Sequence, residues 1–261
     1  MPYLAKILLY PIKSFDGVEA ENAKVLSSGT LEFDREFAIF DEHGNFVNGK
    51  RYAKIHLLRA EFAVLNRTIS LQIPGSNSPQ VFHLDAERQA LEATLSDFLG
   101  FTVKLQQNSL QGFPDDTQRL GPTIISTATL TEVASWFPGV SLEQMRRRMR
   151  ANLEIGGVPA FWEDQLFSQG SDTTVSFRVG NVFFVGVQPC QRCVVPTRDP
   201  DSGIADAHFQ KIFVKQRQAT LPNWVASSQF NHFYKLSVNT RLSVSSDETM
   251  LQIGNEIAII A

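Results

Sequence analysis

The chain contains two cysteines, and both lie in a single C-x-x-C motif that runs from Cys190 to Cys193. Such a pair has four chemical uses: a disulfide, a dithiol redox couple, half of a zinc site, or one reactive thiolate. A structural zinc site takes about four ligands, and the sequence offers neither a second cysteine pair nor closely spaced histidines. A thioredoxin-like dithiol opens a helix, whereas Pro189 predicts a strand or a loop at this point.

Positive charge lies close to these cysteines. Arg192 within the motif and Arg198 after it would stabilise a thiolate and lower its pKa. The segment from Pro196 to Gly203 is polar and rich in turn residues, which suits a site on a rigid surface loop. The alternative is that both cysteines are simply buried, because free cysteine is among the most buried residue types.

A second set of polar residues stands where predicted strands and helices begin or end. An arginine on an apolar strand is either an edge residue that reaches water or a buried ligand for an anion. A phosphate needs arginine forks together with hydroxyls or backbone amides at one point. The residues of this kind are Lys13, Ser14, Arg35, Ser126, Thr127, Arg150 and Asn152. The sequence has no Walker A run and no G-x-G-x-x-G, so ordinary nucleotide loops do not explain them.

The composition excludes several classes of protein. The 261 residues are 43% hydrophobic, enough for a sizeable core, and the formal net charge of −3 gives no sign of nucleic-acid binding. No apolar run reaches the roughly 18–20 residues that cross a bilayer, and the N-terminus lacks the pattern of a signal peptide. Two cysteines cannot build a disulfide framework. We therefore expect a soluble, cytoplasmic protein with no membrane span.

Short strands with a few helices should position these residues. Alternating apolar residues predict hairpins that turn at residues 41–45, 66–67 and 180–181, and helical spacing predicts a helix that ends at Gly100. Capping boxes are predicted at Thr129/Glu132 and Ser141/Gln144. This pattern predicts a mainly β fold with several helices (α+β), a barrel or sandwich rather than βαβ units.

Two segments are harder to place. The polar stretch from Asn108 to Leu120 is predicted to be a linker or a mobile loop. The arginines at 146, 147 and 148 precede Arg150 on a predicted helix, and most of them are expected to form a solvated helix face.

Taken together, these motifs resemble the MOSC-domain family. The N-terminal stretch with "YPIKS" and "FDREF" resembles the MOSC N-terminal β-barrel module, and "CQRCVVPTRDPDSG" resembles the cysteine segment of the MOSC domain. The resemblance covers essentially the whole chain. Within the family, the sequence is similar to the mitochondrial amidoxime-reducing component and its bacterial homologues. It implies a MOSC-type β-barrel with an associated N-terminal β-barrel-like module, divided into residues 1–107 and 108–261.

The resemblance also implies a site for the molybdenum cofactor (Mo-molybdopterin). Cys193 matches the metal ligand and catalytic residue of the family, whereas Cys190 has a supporting or incidental role. The implied cofactor-binding residues are Lys13, Ser14, Arg35, Ser126, Thr127, Arg150 and Asn152. Asp199 is a candidate proton relay, with a turn-forming role as the alternative.

The implied activity is reduction of N-hydroxylated compounds, amidoximes or hydroxylamines. The electrons would come from a separate donor protein, because the chain has no further cysteines for an iron–sulfur cluster. No pyridoxal-phosphate desulfurase domain is expected upstream. The alternatives are a carrier of the cofactor, or of sulfur as a persulfide on Cys193, and a β-rich interaction domain without a cofactor. Two departures from the family pattern, "NGKR" at 48–51 and Ala151 in place of proline, affect the outer pocket.

Overall fold

The computed structural model describes residues 1–168, 174–243 and 249–260. The first nine strands are β1 (Tyr3–Leu9), β2 (Val18–Ala20), β3 (Asn22–Lys24), β4 (Phe37–Asp41), β5 (Phe46–Val47), β6 (Arg59–Ala63), β7 (Thr68–Gln72), β8 (Gln80–His83) and β9 (Val103–Gln107). The remaining strands are β10 (Ile124–Ser126), β11 (Leu153–Gly156), β12 (Val175–Val179), β13 (Val182–Gln191), β14 (Lys235–Leu242), β15 (Met250–Gln252) and β16 (Ile257–Ile259). The helices are α1 (Arg88–Leu99), α2 (Thr127–Ser135), α3 (Leu142–Met149) and α4 (Phe209–Ala219).

One large mixed sheet organises the molecule. Its eight strands follow the order β16-β12-β13-β14-β10-β11-β1-β2. β10 and β11 pair in parallel, and the other neighbours pair antiparallel. An antiparallel bridge also joins Tyr3, at the start of β1, to Glu256, just before β16. This bridge brings β1 close to β16, although the two are far apart in the strand order. The sheet surrounds a core that includes Leu4, Ile7 and Phe184.

The N-terminal half adds two smaller sheets. β4 pairs with β5 and β9, while β6, β7 and β8 form a meander. Their apolar faces pack on α1 in a second core with Phe37, Ile39, Ile69, Leu91 and Leu95. Because β1 and β2 belong to the large sheet, both halves of the chain contribute strands to that sheet. The division into residues 1–107 and 108–261 stays a prediction.

Three helices cover the large sheet and form a third core. The rings of Phe137 and Phe209 stack with centroids 4.2 Å apart, and Met145 and Met149 of α3 are buried beside them. α3 begins with the predicted capping box, in which the side chains of Ser141 and Gln144 each bond the other's backbone amide. This cap fixes where the helix starts, and therefore where its arginines lie.

The α+β prediction is confirmed, including the three hairpins and the helix that ends at Gly100. The capping box at Thr129 is wrong, because Ser126 caps α2 and accepts a hydrogen bond from the Thr129 amide. Within the described residues, no helix is long and apolar enough to cross a membrane.

Candidate functional site

A cavity of about 760 Å³ lies where the N-terminal module, α3 and the cysteine segment meet. Among the described residues, ten lysines and arginines and five carboxylates line it, so the lining has a formal net charge of +5. The whole chain has a net charge of −3. The positive charge is thus concentrated at one place, as expected for an anionic ligand. The lining cations are Lys13, Arg35, Lys50, Arg59, Arg119, Arg146, Arg147, Arg148, Arg150 and Arg192.

The turn after β1 brings Lys13 and Ser14 into this cavity. The Lys13 amide donates to the Phe37 carbonyl, which holds the turn against β4. Ser14 has a φ of 74°, in the left-handed region, and its Oγ accepts a hydrogen bond from the Gly49 amide at 3.1 Å. The Lys13 side chain is only 9% exposed. Burial lowers the pKa of Lys13, and Asp115 opposes this effect, so the ammonium group depends on a nearby anion.

Arg35 and Arg150 lie on the ring of Tyr10. Their guanidinium carbons are 5.1 and 4.2 Å from the ring centroid, respectively. Arg35 also pairs with Asp34 and donates to Asn152 Oδ1 at 3.4 Å. Both arginines have positive φ values, 51° and 53°. Strained non-glycine backbone of this kind clusters at functional sites.

Arg150 differs from the other cavity arginines in its lack of an acceptor. Among the described residues, its guanidinium stacks on Tyr10 and makes no hydrogen bond. Burial lowers the pKa of Arg150, Tyr10 opposes this effect, and the positive charge of the neighbouring Arg35 lowers the pKa further. An incoming anion would satisfy these donors and relieve the repulsion between the two guanidinium groups.

Cys190 and Cys193 are free, half-buried, and both line the cavity. Cys190 lies in β13, and Cys193 follows the end of that strand. The Arg192 side chain donates to the Met149 carbonyl at 2.6 Å and to Cys190 Sγ at 3.4 Å. Arg192 thus ties the cysteine segment to the end of α3. Within the described residues, no three His, Cys, Asp or Glu side chains form a group that could hold a metal ion.

Ser126 and Thr127 lie outside the cavity lining. Ser126 is fully buried, caps α2 and donates to Thr129 Oγ1 at 2.8 Å. Thr127 Oγ1 donates to Glu154 Oε1 at 2.7 Å. Both hydroxyls are therefore bonded within the protein, because the strand-to-helix junction needs them for its own polar groups.

Asp199 also lies outside the cavity lining and organises the turn after Cys193. Its Oδ1 accepts hydrogen bonds from the amides of Asp201 and Ser202 and from the Ser202 hydroxyl. Burial would raise the pKa of Asp199, but these bonds and Arg148 hold it below the usual value. A carboxylate held ionised and bonded in this way matches the turn-forming alternative better than a proton relay. Gly203 completes the turn, with a φ of 69° and the Ala53 carbonyl 2.7 Å from where a Cβ would lie.

The arginines of α3 were the main residues that sequence reasoning missed. The expected solvated helix face is wrong for Arg146 and Arg148, which are 9% and 5% exposed. Arg146 forms a bidentate pair with Glu154, and Arg148 donates to the carbonyls of Pro196 and Arg198. The available signal was that the three arginines lie between two apolar residues, Met145 and Met149, since such a run also occurs where a helix borders a charged cavity.

The segment from Asn108 to Leu120 was predicted to be a linker or a mobile loop, and it forms one wall of the cavity. Asp115 in this segment pairs with Lys13 at 2.7 Å and with Lys50 at 3.2 Å. Lys50 belongs to the "NGKR" departure, and this segment contributes a cation to the cavity lining. Ala151 is buried, and its carbonyl lies 3.4 Å from the Tyr10 hydroxyl.

Two family models match the chain in order. The MOSC N-terminal beta barrel domain matches residues 1–139, and the MOSC domain matches residues 122–257. The chain belongs to the MOSC family. This agrees with the cysteine segment and the "YPIKS" turn meeting at one cavity in the MOSC chain.

The curated relatives of this MOSC chain are distant. It is 27% identical to a molybdenum cofactor sulfurase of Drosophila mojavensis over 222 residues, 74% of this chain and 27% of the relative. It is 24% identical to a molybdenum cofactor sulfurase 2 of Culex quinquefasciatus, over 100% of this chain and 37% of that protein. The mitochondrial amidoxime reducing component 2 of Homo sapiens is 24% identical over 278 residues, 90% of this chain and 76% of the relative. The chain thus spans well under half of the sulfurases it matches.

Proposed function

We propose that the protein binds the molybdenum cofactor and reduces N-hydroxylated compounds, such as amidoximes and hydroxylamines. The observation that carries the proposal is the convergence of Cys193 and the unpaired Arg150 guanidinium on one strongly cationic cavity. The similarity to proteins named mitochondrial amidoxime reducing component supports the choice of reaction.

The donor set of the cavity fits this cofactor. Its volume of about 760 Å³ lies within the range of small-molecule sites, roughly 300–1,000 Å³. A soft thiolate is a suitable ligand for a metal that other sulfurs already hold, and Cys193 lies on the cavity wall. The Arg150 guanidinium provides donors that no described residue satisfies. A pterin with an anionic phosphate and polar ring edges would use both features.

The roles of the individual side chains follow from their positions. Cys193 would be the protein ligand of the metal. Lys13, Arg35 and Arg150 would bind and orient the anionic part of the cofactor, with Ser14 and Asn152 supporting the cations through the turn after β1 and through Arg35. Ser126, Thr127 and Asp199 would act on the scaffold rather than on the cofactor.

The redox chemistry would belong to the cofactor, which supplies a metal that changes oxidation state and can take oxygen from an N–OH group. The protein residues would bind this cofactor and exclude bulk water, and Cys193 would be held as a thiolate by coordination to the metal. Electrons would come from a separate electron-transfer protein. A cytoplasmic location is part of the same proposal.

Reduction of benzamidoxime by the purified protein with an artificial electron donor tests this function. We expect turnover by the wild type, none by Cys193→Ala, and retention of much of the activity by Cys190→Ala. Unfolding in denaturant should show that both variants keep the fold, because both thiols are only half-buried.

Two results would contradict the proposal. Equal loss in both cysteine variants would indicate a dithiol mechanism. A wild-type protein that passes its cofactor readily to an apo-acceptor, and has no reductase activity, would be a carrier.

A further inference from the structure

One wall of the cavity is a strap, residues 114–120, between two backbone anchors. At one end the Phe113 amide donates to the Arg35 carbonyl, and at the other the Gly121 amide donates to the Thr240 carbonyl. Within the part of the chain that the structure describes, residues 114–120 make no backbone–backbone hydrogen bond. Side chains therefore hold the strap in place, and such segments open at low free-energy cost.

The first anchor is rigid. The Phe113 ring packs against Phe40 at 5.6 Å and Phe46 at 6.0 Å. Gly112 beside it has a φ of 63°, and the Asp34 carbonyl lies 2.6 Å from where a Cβ would be. Movement of the strap would therefore leave this anchor unchanged.

Asp115 makes the shortest contact between the strap and the cavity wall, and Asn239 and Arg241 hold the strap farther along, at Asp116 and Gln118. Its Oδ1 lies 2.7 Å from Lys13 Nζ and 3.2 Å from Lys50 Nζ, so two ammonium groups converge on one oxygen. Burial would raise the pKa of Asp115, but Lys13, Lys50 and Arg35 hold it well below the usual range. The side chain is still 59% exposed, so it can leave for water without being trapped in the core.

We propose that Asp115 is an internal anion that closes the strap over Lys13 and Lys50, and that a phosphate group of the bound ligand replaces it and releases the strap. The two lysines then form a phosphate subsite to which the "NGKR" segment contributes Lys50. The inference rests on the proposed function only in taking an anionic cofactor as the natural ligand.

The competition follows from charge. Lys13 is nearly buried and lies among other cations, so it needs one anion beside it, and Asp115 meets that need. For a ligand that must displace Asp115, the apparent affinity is the affinity of the open site multiplied by the fraction of chains in which the strap is open. If about one chain in ten is open, the apparent affinity is about tenfold lower than that of an open site.

Titration of the full chain, produced without the cofactor, with inorganic phosphate measures this competition. We expect Asp115→Asn to bind phosphate about tenfold more tightly than the wild type, as an open fraction of one in ten would give. Adding Lys50→Met to that variant should weaken binding again. The matched control is Glu19→Gln, which removes the partner of the exposed Lys6 outside the cavity and should leave phosphate affinity unchanged.

Trypsin cleavage after Arg119, inside the strap, provides a second readout in the wild-type chain, because proteolysis follows the population of the open form. Cleavage should be faster when phosphate saturates the protein, and faster in cofactor-loaded than in cofactor-free chain. Asp115→Asn binding phosphate no more tightly than the wild type would overturn the proposal, as would slower cleavage of the strap on binding. A strap that free phosphate opens, but that stays closed in the loaded chain, would overturn the assignment to the cofactor. The phosphate titration decides the strap mechanism even if the protein has no reductase activity.

Discussion

Two of the arginines that lie on aromatic rings have opposite surroundings. Arg217 is fully buried, stacks on Phe161 and Phe230, and pairs with Asp164. Arg150 stacks on Tyr10 and, among the described residues, meets no acceptor. The first is neutralised inside the protein, whereas the second leaves its donors for a ligand. Which arginine binds a ligand thus depends on its partners rather than on its residue type or its ring.

The surroundings of the two clusters differ in the same way. Around Arg217, Glu163 and Asp164 supply two buried carboxyl groups, and Thr129 donates to Glu163 Oε2 at 3.0 Å. Around Arg150, cations outnumber carboxylates two to one. We therefore expect substitutions in the first cluster to change stability and those in the second to change ligand binding.

The largest expected effect is that of Arg217→Met. It would leave Asp164 buried without its counter-ion, which costs about 3–5 kcal/mol of unfolding free energy. Unfolding in urea at neutral pH measures the change. The double variant Arg217→Met/Asp164→Leu should recover most of the loss, because removing both charges avoids an unpaired buried ion. If Arg217→Met alone is as stable as the wild type, the claim that the Arg217 cluster serves stability is contradicted.

A smaller effect concerns pH. Burial and the neighbouring Asp164 raise the pKa of Glu163 from 4.5 to about 7. The folded chain then keeps a proton that the unfolded chain releases, so this contribution is complete below about pH 4.5 and is lost as pH rises to about 7. The loss is roughly 3 kcal/mol. Unfolding free energies from pH 4 to 8 should fall less in Glu163→Gln than in the wild type, and parallel curves would contradict this.

Local signals in the sequence were sufficient for much of the fold. Turns at Gly180-Asn181 and a cap at Ser141 depend on residues a few positions apart, so the pattern shows them directly. The core set of Lys13, Arg35, Arg150 and Cys193 was also predicted, through the family resemblance, and the structure brings it to one cavity.

Contacts distant in sequence decided what could not be predicted. Arg148 is buried because the carbonyls of Pro196 and Arg198, about fifty residues away, accept its donors. Thr127 has the residue type of an anion ligand, but its hydroxyl donates to Glu154, 27 residues away in the sequence. The strap was predicted to be a linker or mobile loop because its polar residues give no sign that Asp115 pairs with Lys13.

The most direct test of the central claim is the molybdenum and pterin content of freshly purified protein, expressed where the cofactor is available. The wild type should contain both in near-equal amounts. Arg150→Met should lose occupancy, because a charge-assisted contact of about 1.5–3 kcal/mol corresponds to roughly 10- to 150-fold in affinity, while its unfolding free energy stays within about 1 kcal/mol of the wild type. A wild type without molybdenum or pterin, or full occupancy in Arg150→Met, would contradict the claim.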